Sequence, residues 1–508
     1  MQKIYAASIL SLLLAYSVHA QSADFIYGSI IDSKTGQGIA FATVLLKDAS
    51  KGVVADEQGG FSIPKTVADR YEALMISCIG YETKQVDLKT LKQDSLNTIP
   101  LKVAISLLDE VVVTAAKKRL SVRKIVRKAI QQIPFNYSRV PFSYTAYYRD
   151  YQKQSDTYIN LNEAIVEIHD NGFDTYDRSD SNIRLLDYKT NSDFNREPSL
   201  EINYDNTNRK FIPNAIIHPS GGNELTILMT HDAIRNYKHS AYSFMYVMEK
   251  DFIKNHDFKL TEVIQMNDDN LYVIDFKLKP VTSTEYLVTG QLFINRNTFA
   301  IHKLDYALFL KKGKEHICNI HVEYKEQHGL MYLNYISFNN TFKAPDPEDF
   351  GISEVAYNPY REYLQIAFNN PYSEDQAGAL SNYEVKIDNK KIAIRDVILD
   401  PSDKRKIKLL LDFKDSDPPI ITSAIGDRLS LLISNVTDIE GRVLGEQTLL
   451  KYKQYRELFV QEVHTQPKET SATFIDKFLS LRHGHFSAST QTLDYWMNTP
   501  LKKEVNDK

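Results

Sequence analysis

Apolar and polar residues alternate with a period of two in one segment after another through residues 141–358. That rhythm restricts the chain to half-buried β-strands, because successive side chains of a strand point to opposite faces. Tyr272, Ile274, Phe276 and Leu278 share one face of such a segment; Cys318, Ile320, Val322 and Tyr324 share another, and Tyr332, Asn334, Ile336 and Phe338 a third. Short turns such as residues 295–298 separate the segments, so neighbouring strands are expected to pair as an antiparallel meander. The aromatic content points the same way. With 31 Tyr and 24 Phe against one Trp, the chain favours strands and interfaces where a ring is buried and its hydroxyl stays wet. Residues 227–237 and 242–254 are expected to interrupt the meander as helices.

Gln2 and Lys3 precede an apolar run over residues 4–18 that is too short to span a bilayer, and Val18 and Ala20 supply the small residues of a cleavage site. Residues 1–20 therefore read as a secretory signal peptide. Export would leave Gln21 as the first residue; it is not a cysteine, so no lipid anchor is expected there. A chain of 508 residues exceeds what one core holds, so several domains are expected. The formal net charge of -4 gives no reason to expect nucleic acid or an anionic membrane surface as a partner. Cys78 and Cys318 fall in different expected domains, each in an alternating segment, which predicts two separate buried thiols.

Residues 26–31, 42–46, 61–63, 73–78 and a further run to Leu88 read as short strands, with Gly36, Gly59, Gly60 and Gly80 in the turns between them. The pattern Gly28-x-Ile30-x-Asp32-x-x-Thr35-Gly36, then Asp56-x-x-Gly59-x-Phe61, then Ser77-x-x-Gly80-Tyr81 resembles the carboxypeptidase-regulatory-like domain. The resemblance implies a transthyretin-like, seven-stranded β-sandwich over residues 21–104, serving as an accessory module without catalytic residues. Residues 105–140 form an expected linker. Its segment 107–115, with Asp109 to Val113, resembles the strand that follows this domain in many TonB-dependent transporters, but no plug follows. Val122, Ile125, Val126, Ala129, Ile130 and Ile133 instead recur at helical spacing, with Ser121 as N-cap, Pro134 as the stop and Arg123, Lys124, Arg127 and Lys128 on a solvated face.

Residues 141–358, in particular 272–304, resemble the curved antiparallel sheet of lipoprotein-carrier proteins. Residues 359–450 resemble a bacterial immunoglobulin-like β-sandwich closed by Asn435, Val436, Asp438 and Gly441, and residues 451–508 are expected as a C-terminal tail. The fold class is thus mainly β. The order of these segments resembles a group of Gram-negative envelope proteins described only as containing a carboxypeptidase-like regulatory domain. An outer-membrane barrel is not expected, because the strands are mostly shorter than about 9–11 residues and are interrupted by helices.

The chemistry that the domain's name suggests has no residues to carry it. A zinc carboxypeptidase needs His and Glu converging from one element, and neither His-x-x-Glu nor His-Glu-x-x-His occurs. The remaining weak metal candidate is His483-Gly-His485, which reads more simply as an exposed loop. Glu163 and Glu167 share a strand face, as the two carboxylates of a glycosidase face one another, but such pairs belong to solvated faces as a rule. Tyr144, Tyr147, Tyr148 and Tyr151 could form a glycan or peptide platform, against the simpler reading that they fill a sheet-to-helix interface. Neither Gly-x-Ser-x-Gly nor a phosphate-binding loop is present. The expectation is a non-catalytic binding or scaffold protein, periplasmic or associated with the outer membrane through a partner. No cofactor is expected, and the ligand is an envelope protein, glycan or lipid. A lipophilic-ligand carrier and an unrecognised hydrolase are the alternatives.

Overall fold

The computed structural model describes residues 25–49, 51–93, 95–104, 120–201, 222–266, 269–346, 348–413, 428–467, 473–484 and 495–499. The expected signal peptide, the strand around Asp109 and His485 lie outside the described residues. The chain forms two compact units, Met1–Phe342 with Tyr452–Lys508, and Lys343–Lys451.

The larger unit begins with seven short strands: β1 (Phe25–Asp32), β2 (Thr43–Leu46), β3 (Gly52–Val54), β4 (Gly60–Pro64), β5 (Ala73–Ser77), β6 (Lys84–Asp87) and β7 (Asn97–Leu101). They form a three-stranded sheet, β4-β1-β7, and a four-stranded sheet, β3-β2-β5-β6, around a core that includes Ile30, Val44, Leu74 and Ile76. The motif residues make the turns. The Asp32 carboxylate accepts from the Lys34 and Thr35 amides at 2.8 Å each, and Asp56 accepts from Gln58 and Gly60 at 2.9 and 2.7 Å. Gly59 has φ +81°, and a Cβ there would lie 2.3 Å from the Ile30 carbonyl oxygen, so the turn admits only glycine.

Helix α1 (Val122–Asn136) buries Ile125, Val126, Ala129, Ile130 and Ile133, as the spacing predicts. Two details differ. Ser121 occupies the N-cap with extended backbone but makes no side-chain cap bond, and the helix runs through Pro134. The proline costs the bond to Ile130, but buried Ile133 still holds the last turn and accepts from the Tyr137 amide at 3.2 Å.

Three strands follow, β8 (Phe142–Gln154), β9 (Thr157–Asp170) and β10 (Asn182–Thr190), then helix α2 (Glu224–Thr230). The helices expected over 227–237 and 242–254 are broken up. Asp232 accepts from the Ile234 and Arg235 amides at 2.9 Å each, a local alternative to the helical ladder, and Ser243 and Tyr246 have positive φ. What remains is α2 and short turns at Ser243–Met245, Met248–Phe252 and Ile253–Asn255.

The expected meander is present as β11 (His256–Met266), β12 (Asp269–Leu278), β13 (Tyr286–Asn295), β14 (Ile301–Leu310), β15 (Glu315–Gln327) and β16 (Leu330–Pro345). The smaller unit then adds β17 (Ile352–Asn358), β18 (Tyr363–Phe368), β19 (Tyr383–Ile387), β20 (Lys390–Leu399), β21 (Lys406–Asp412) and β22 (Leu429–Ile433), in the order β17-β18-β21-β20-β19-β22. Strand β20 pairs with β19 through residues 390–392 and with β21 through 393–399, so it passes from one half of this unit to the other around a core of Leu364, Ile366, Val385, Ile407 and Leu409.

Strand β23 (Leu449–His464) corrects the expectation of a tail. It lies inside a ten-stranded sheet of order β10-β9-β8-β23-β16-β15-β14-β13-β12-β11, a curled half-barrel. Its charged residues Arg456 and Glu457 are buried against Glu224 and Arg149. Helix α1, α2 and the turns after it pack on one face of the sheet with Ile274, Leu304, Ile320 and Leu458. Cys78 and Cys318 are free thiols, the first half-buried and the second buried, and burial pushes both up to about 12.

Candidate functional site

The face of the ten-stranded sheet opposite its main core is divided in two. One part is covered by the small β-sandwich: Phe41 stacks on Tyr335 at 4.4 Å, Asn334 donates to Thr43 at 2.8 Å, and Ile79 packs against Val273 and Phe293. Phe41 takes φ +61°, a conformation an aromatic residue holds only when packing over-determines it.

Beyond that edge the register lays out two polar rows across six strands. One runs Asp257, Lys277, Thr289, Ala307, Asn319, Asn339; the next runs Lys259, Asp275, Gln291, Asp305, His321, Ser337. Both line a groove of about 800 Å3 whose wall includes Phe41 and Glu57 of the sandwich. Five strand spacings make its floor about 24 Å long.

Opposite charges face each other along the floor. Lys259 stands opposite Asp275, which accepts from Gln291 at 2.8 Å, and Asp305 is ion-paired with His321 Nδ1 and with Lys303 at 3.3 Å. Burial alone would raise the Asp305 carboxyl, but His321 and then Lys303 hold it down at about 2. Glu323, under the sandwich, is raised by burial. Among the described residues, His321 Nε2 and Asn339 Oδ1 have no hydrogen-bond partner. Asp305 and His321 have the form of an orienter and a base, but no hydroxyl bonds Nε2, and Ser337, next in the row, is 1% exposed.

The residues singled out from sequence lie elsewhere. Glu163 and Glu167 do share a face, but it is buried rather than solvated: Glu163 accepts from Tyr147 at 2.6 Å and Thr499 at 2.9 Å, and Glu167 contacts His169 at 2.6 Å and Arg184 at 3.6 Å. The tyrosines are buried on both faces. Tyr144 and Tyr148 join the main core, while Tyr147 stacks on Phe459 at 5.5 Å and Tyr151 on Tyr455 at 4.6 Å. His483 is exposed at the end of the turn Leu481–His483, whose Leu481 is buried, and lies at the rim of a second cavity. Among the described residues no group of three or more His, Cys, Asp or Glu could hold a metal ion. Sequence reading passed over Phe41, Asp305 and His321. The alternation placed the last two on the polar face, but only the pairing register makes them neighbours.

The fold and groove define a class: a mainly β protein in which a small accessory sandwich walls one side of a curled sheet. Residues 26–113 match the CarboxypepD_reg-like domain family, so the sandwich is a carboxypeptidase-regulatory-like domain, a non-catalytic family. The remaining chain has no family match. None of the curated proteins matches the chain. Among solved structures it is similar to a LolA superfamily protein from Nitrosomonas europaea, at 11% identity and TM-score 0.20 over 44% of this chain and 86% of that one. A DUF1329 family protein from Desulfovibrio piger gives 9% and 0.19 over 43% and 86%. A putative outer membrane lipoprotein-sorting protein domain from Vibrio parahaemolyticus gives 8% and 0.19 over 43% and 84%. Likenesses at this level decide nothing about what the chain does.

Proposed function

We propose that the protein is a non-catalytic binding or scaffold protein of the cell envelope that holds an extended polypeptide segment of a partner in the groove beside its regulatory-like domain. The observation that carries this reading is the pair of polar rows, open along six strands and walled by Phe41. A polypeptide supplies both the hydrogen-bonding groups that His321 and Asn339 lack and apolar side chains for Phe41 and Ala307. About seven extended residues span the floor. The envelope location rests on the charged and then apolar start of the sequence. The carrier reading places a lipophilic ligand in the same groove, whose volume would take an acyl chain and whose lining includes Phe41, Phe258, Phe276 and Ile320; the two rows of charged and amide side chains favour a polypeptide over it.

A photo-reactive residue replacing Thr289 should crosslink one discrete protein in envelope fractions. Ala307→Trp, which fills the floor with an indole, should abolish the adduct without unfolding the chain. Adducts with lipid alone, or an adduct indifferent to Ala307→Trp, would overturn the proposal.

A further inference from the structure

The core face of the sheet stops being apolar at the β23-β8-β9 end. Tyr148, Ala164 and Leu458 belong to the hydrophobic core, and the next two cross-strand rows are polar: Arg456, Asp150 and Asn162, then Gln454, Gln152 and Asn160. Over them lies a cavity of about 330 Å3, closed by Glu201, by Asn223 and Glu224 at the start of α2, and by Tyr188 and Arg482. That size is at the small end for ligand sites and matches a single sugar ring.

The walls are held in place by their own bonds. Asn162 Nδ2 donates to both Asp150, at 3.1 Å, and Glu201, at 2.8 Å. Gln152 Nε2 donates to the Leu200 carbonyl and to Gln454 at 2.7 Å each. Arg196 bonds Asn162 at 3.0 Å and pairs with Glu201, while Arg456 pairs with Glu224. Two of the carboxylates thus have a guanidinium partner, and Asp150 lies within the field of Arg456, so the cavity has little net charge with which to select an ion. One buried group is left over. Asn160, 1% exposed and lining the cavity, donates to Gln152 and to the Glu197 carbonyl at 2.7 Å each, but among the described residues its Oδ1 has no partner. Such an oxygen is costly unless something donates to it.

We propose that this cavity binds one neutral sugar residue. Planar amides and carboxylates in fixed positions present adjacent donors and acceptors, which is what neighbouring ring hydroxyls require, and the half-buried Tyr188 offers an aromatic face. Burial, then the nearby Glu224, push the Asp150 carboxyl up to about 7, so near neutral pH it can donate as well as accept. The site is separate from the groove and does not depend on what the groove holds.

Saturation-transfer NMR on the full chain, with D-glucose, D-galactose, D-mannose and N-acetyl-D-glucosamine as separate probes and 1,5-diaminopentane as a charged control, tests the assignment. At least one sugar should receive saturation, and its apparent affinity should fall at least tenfold in both Asn160→Leu and Tyr188→Ala. Should buried Asn160→Leu fail to fold, Glu201→Leu on the adjoining turn replaces it. No transfer to any of the four sugars, transfer unchanged in the variants, or binding confined to the diamine would each overturn it.

Discussion

At the scale of single residues, the protein sets buried acids against buried histidines. Burial is the leading cause that raises Asp150 and Asp177 to about 7 and Asp232 to about 6, and it is the leading cause that lowers His231, His256 and His302 to about 4. A carboxyl with a raised native pKa holds its proton only in the folded state between about 4 and 7, so its contribution is present at low pH and lost as pH rises. A histidine with a lowered pKa must stay neutral in the fold while the unfolded chain protonates, so its contribution is lost as pH falls from about 6.5 to 4. The two slopes oppose each other over the same window. Replacing one acid exposes its share. Wild type should lose stability relative to Asp150→Asn as pH rises from 4 to 7, by up to about 4 kcal/mol for a shift of about three units, less where cavity water relieves the burial. Urea unfolding of both chains at pH 4, 5.5 and 7 measures the gap. A gap independent of pH would mean that Asn162 and Arg456 hold Asp150 ionised throughout, against its burial and the charges of Glu224 and Glu201.

Among the elements, the residues around Trp496, after β23, pack into the regulatory-like domain. Trp496, 5% exposed, completes the core of that domain, its indole N–H donating to the Ser62 carbonyl at 2.7 Å. Asn498 accepts from the Ser62 amide at 2.8 Å, and Gln461 of β23 donates to the Trp496 carbonyl at 2.7 Å. Removing an indole from a core costs about 3–5 kcal/mol. Trp496→Ala should therefore split thermal unfolding, with the domain melting first, whereas a single unshifted transition would deny the segment this role. A fragment of residues 21–104 should fold by itself with lower stability, and a peptide covering residues 491–503 should raise its melting temperature. Sequence reading recovered α1 because its apolar spacing is local, and it recovered the turns at Asp32 and Asp56 because each carboxylate bonds amides two to four residues on. It read Trp496 as part of a tail because the partner strand lies over four hundred residues away, as the separation of 434 between Trp496 and Ser62 records.

For the molecule as a whole, the smaller unit is an insertion between two neighbouring strands. Phe342 at its entry and Tyr452 at its exit stack at 5.4 Å, and β16 adjoins β23 in the sheet. Its core draws on its own residues, among them Phe350, Leu364, Val385, Leu409 and Val436. Replacing residues 343–451 by a short Gly-Ser loop should leave the larger unit folded, and the excised segment should unfold cooperatively. Aggregation of both products would show that the two units fold only together. The expected start of this domain at residue 359 fell short, because β17 carries an ordinary alternating pattern that could have closed the meander; its pairing with β18 assigns it to the inserted unit.

What the sequence determined by itself is whatever a few consecutive residues can settle: the two-residue rhythm of the strands, the glycine turns of the sandwich, the apolar face of α1 and the absence of a zinc or nucleophile motif. What tertiary structure decided is which distant residues meet. The row from Asp305 to His321 and Ser337 exists only once β14, β15 and β16 are in register, and the polar cavity only once β23 returns between β8 and β16. Strand register is fixed by burial of one face against partners far along the chain, so no local pattern encodes it.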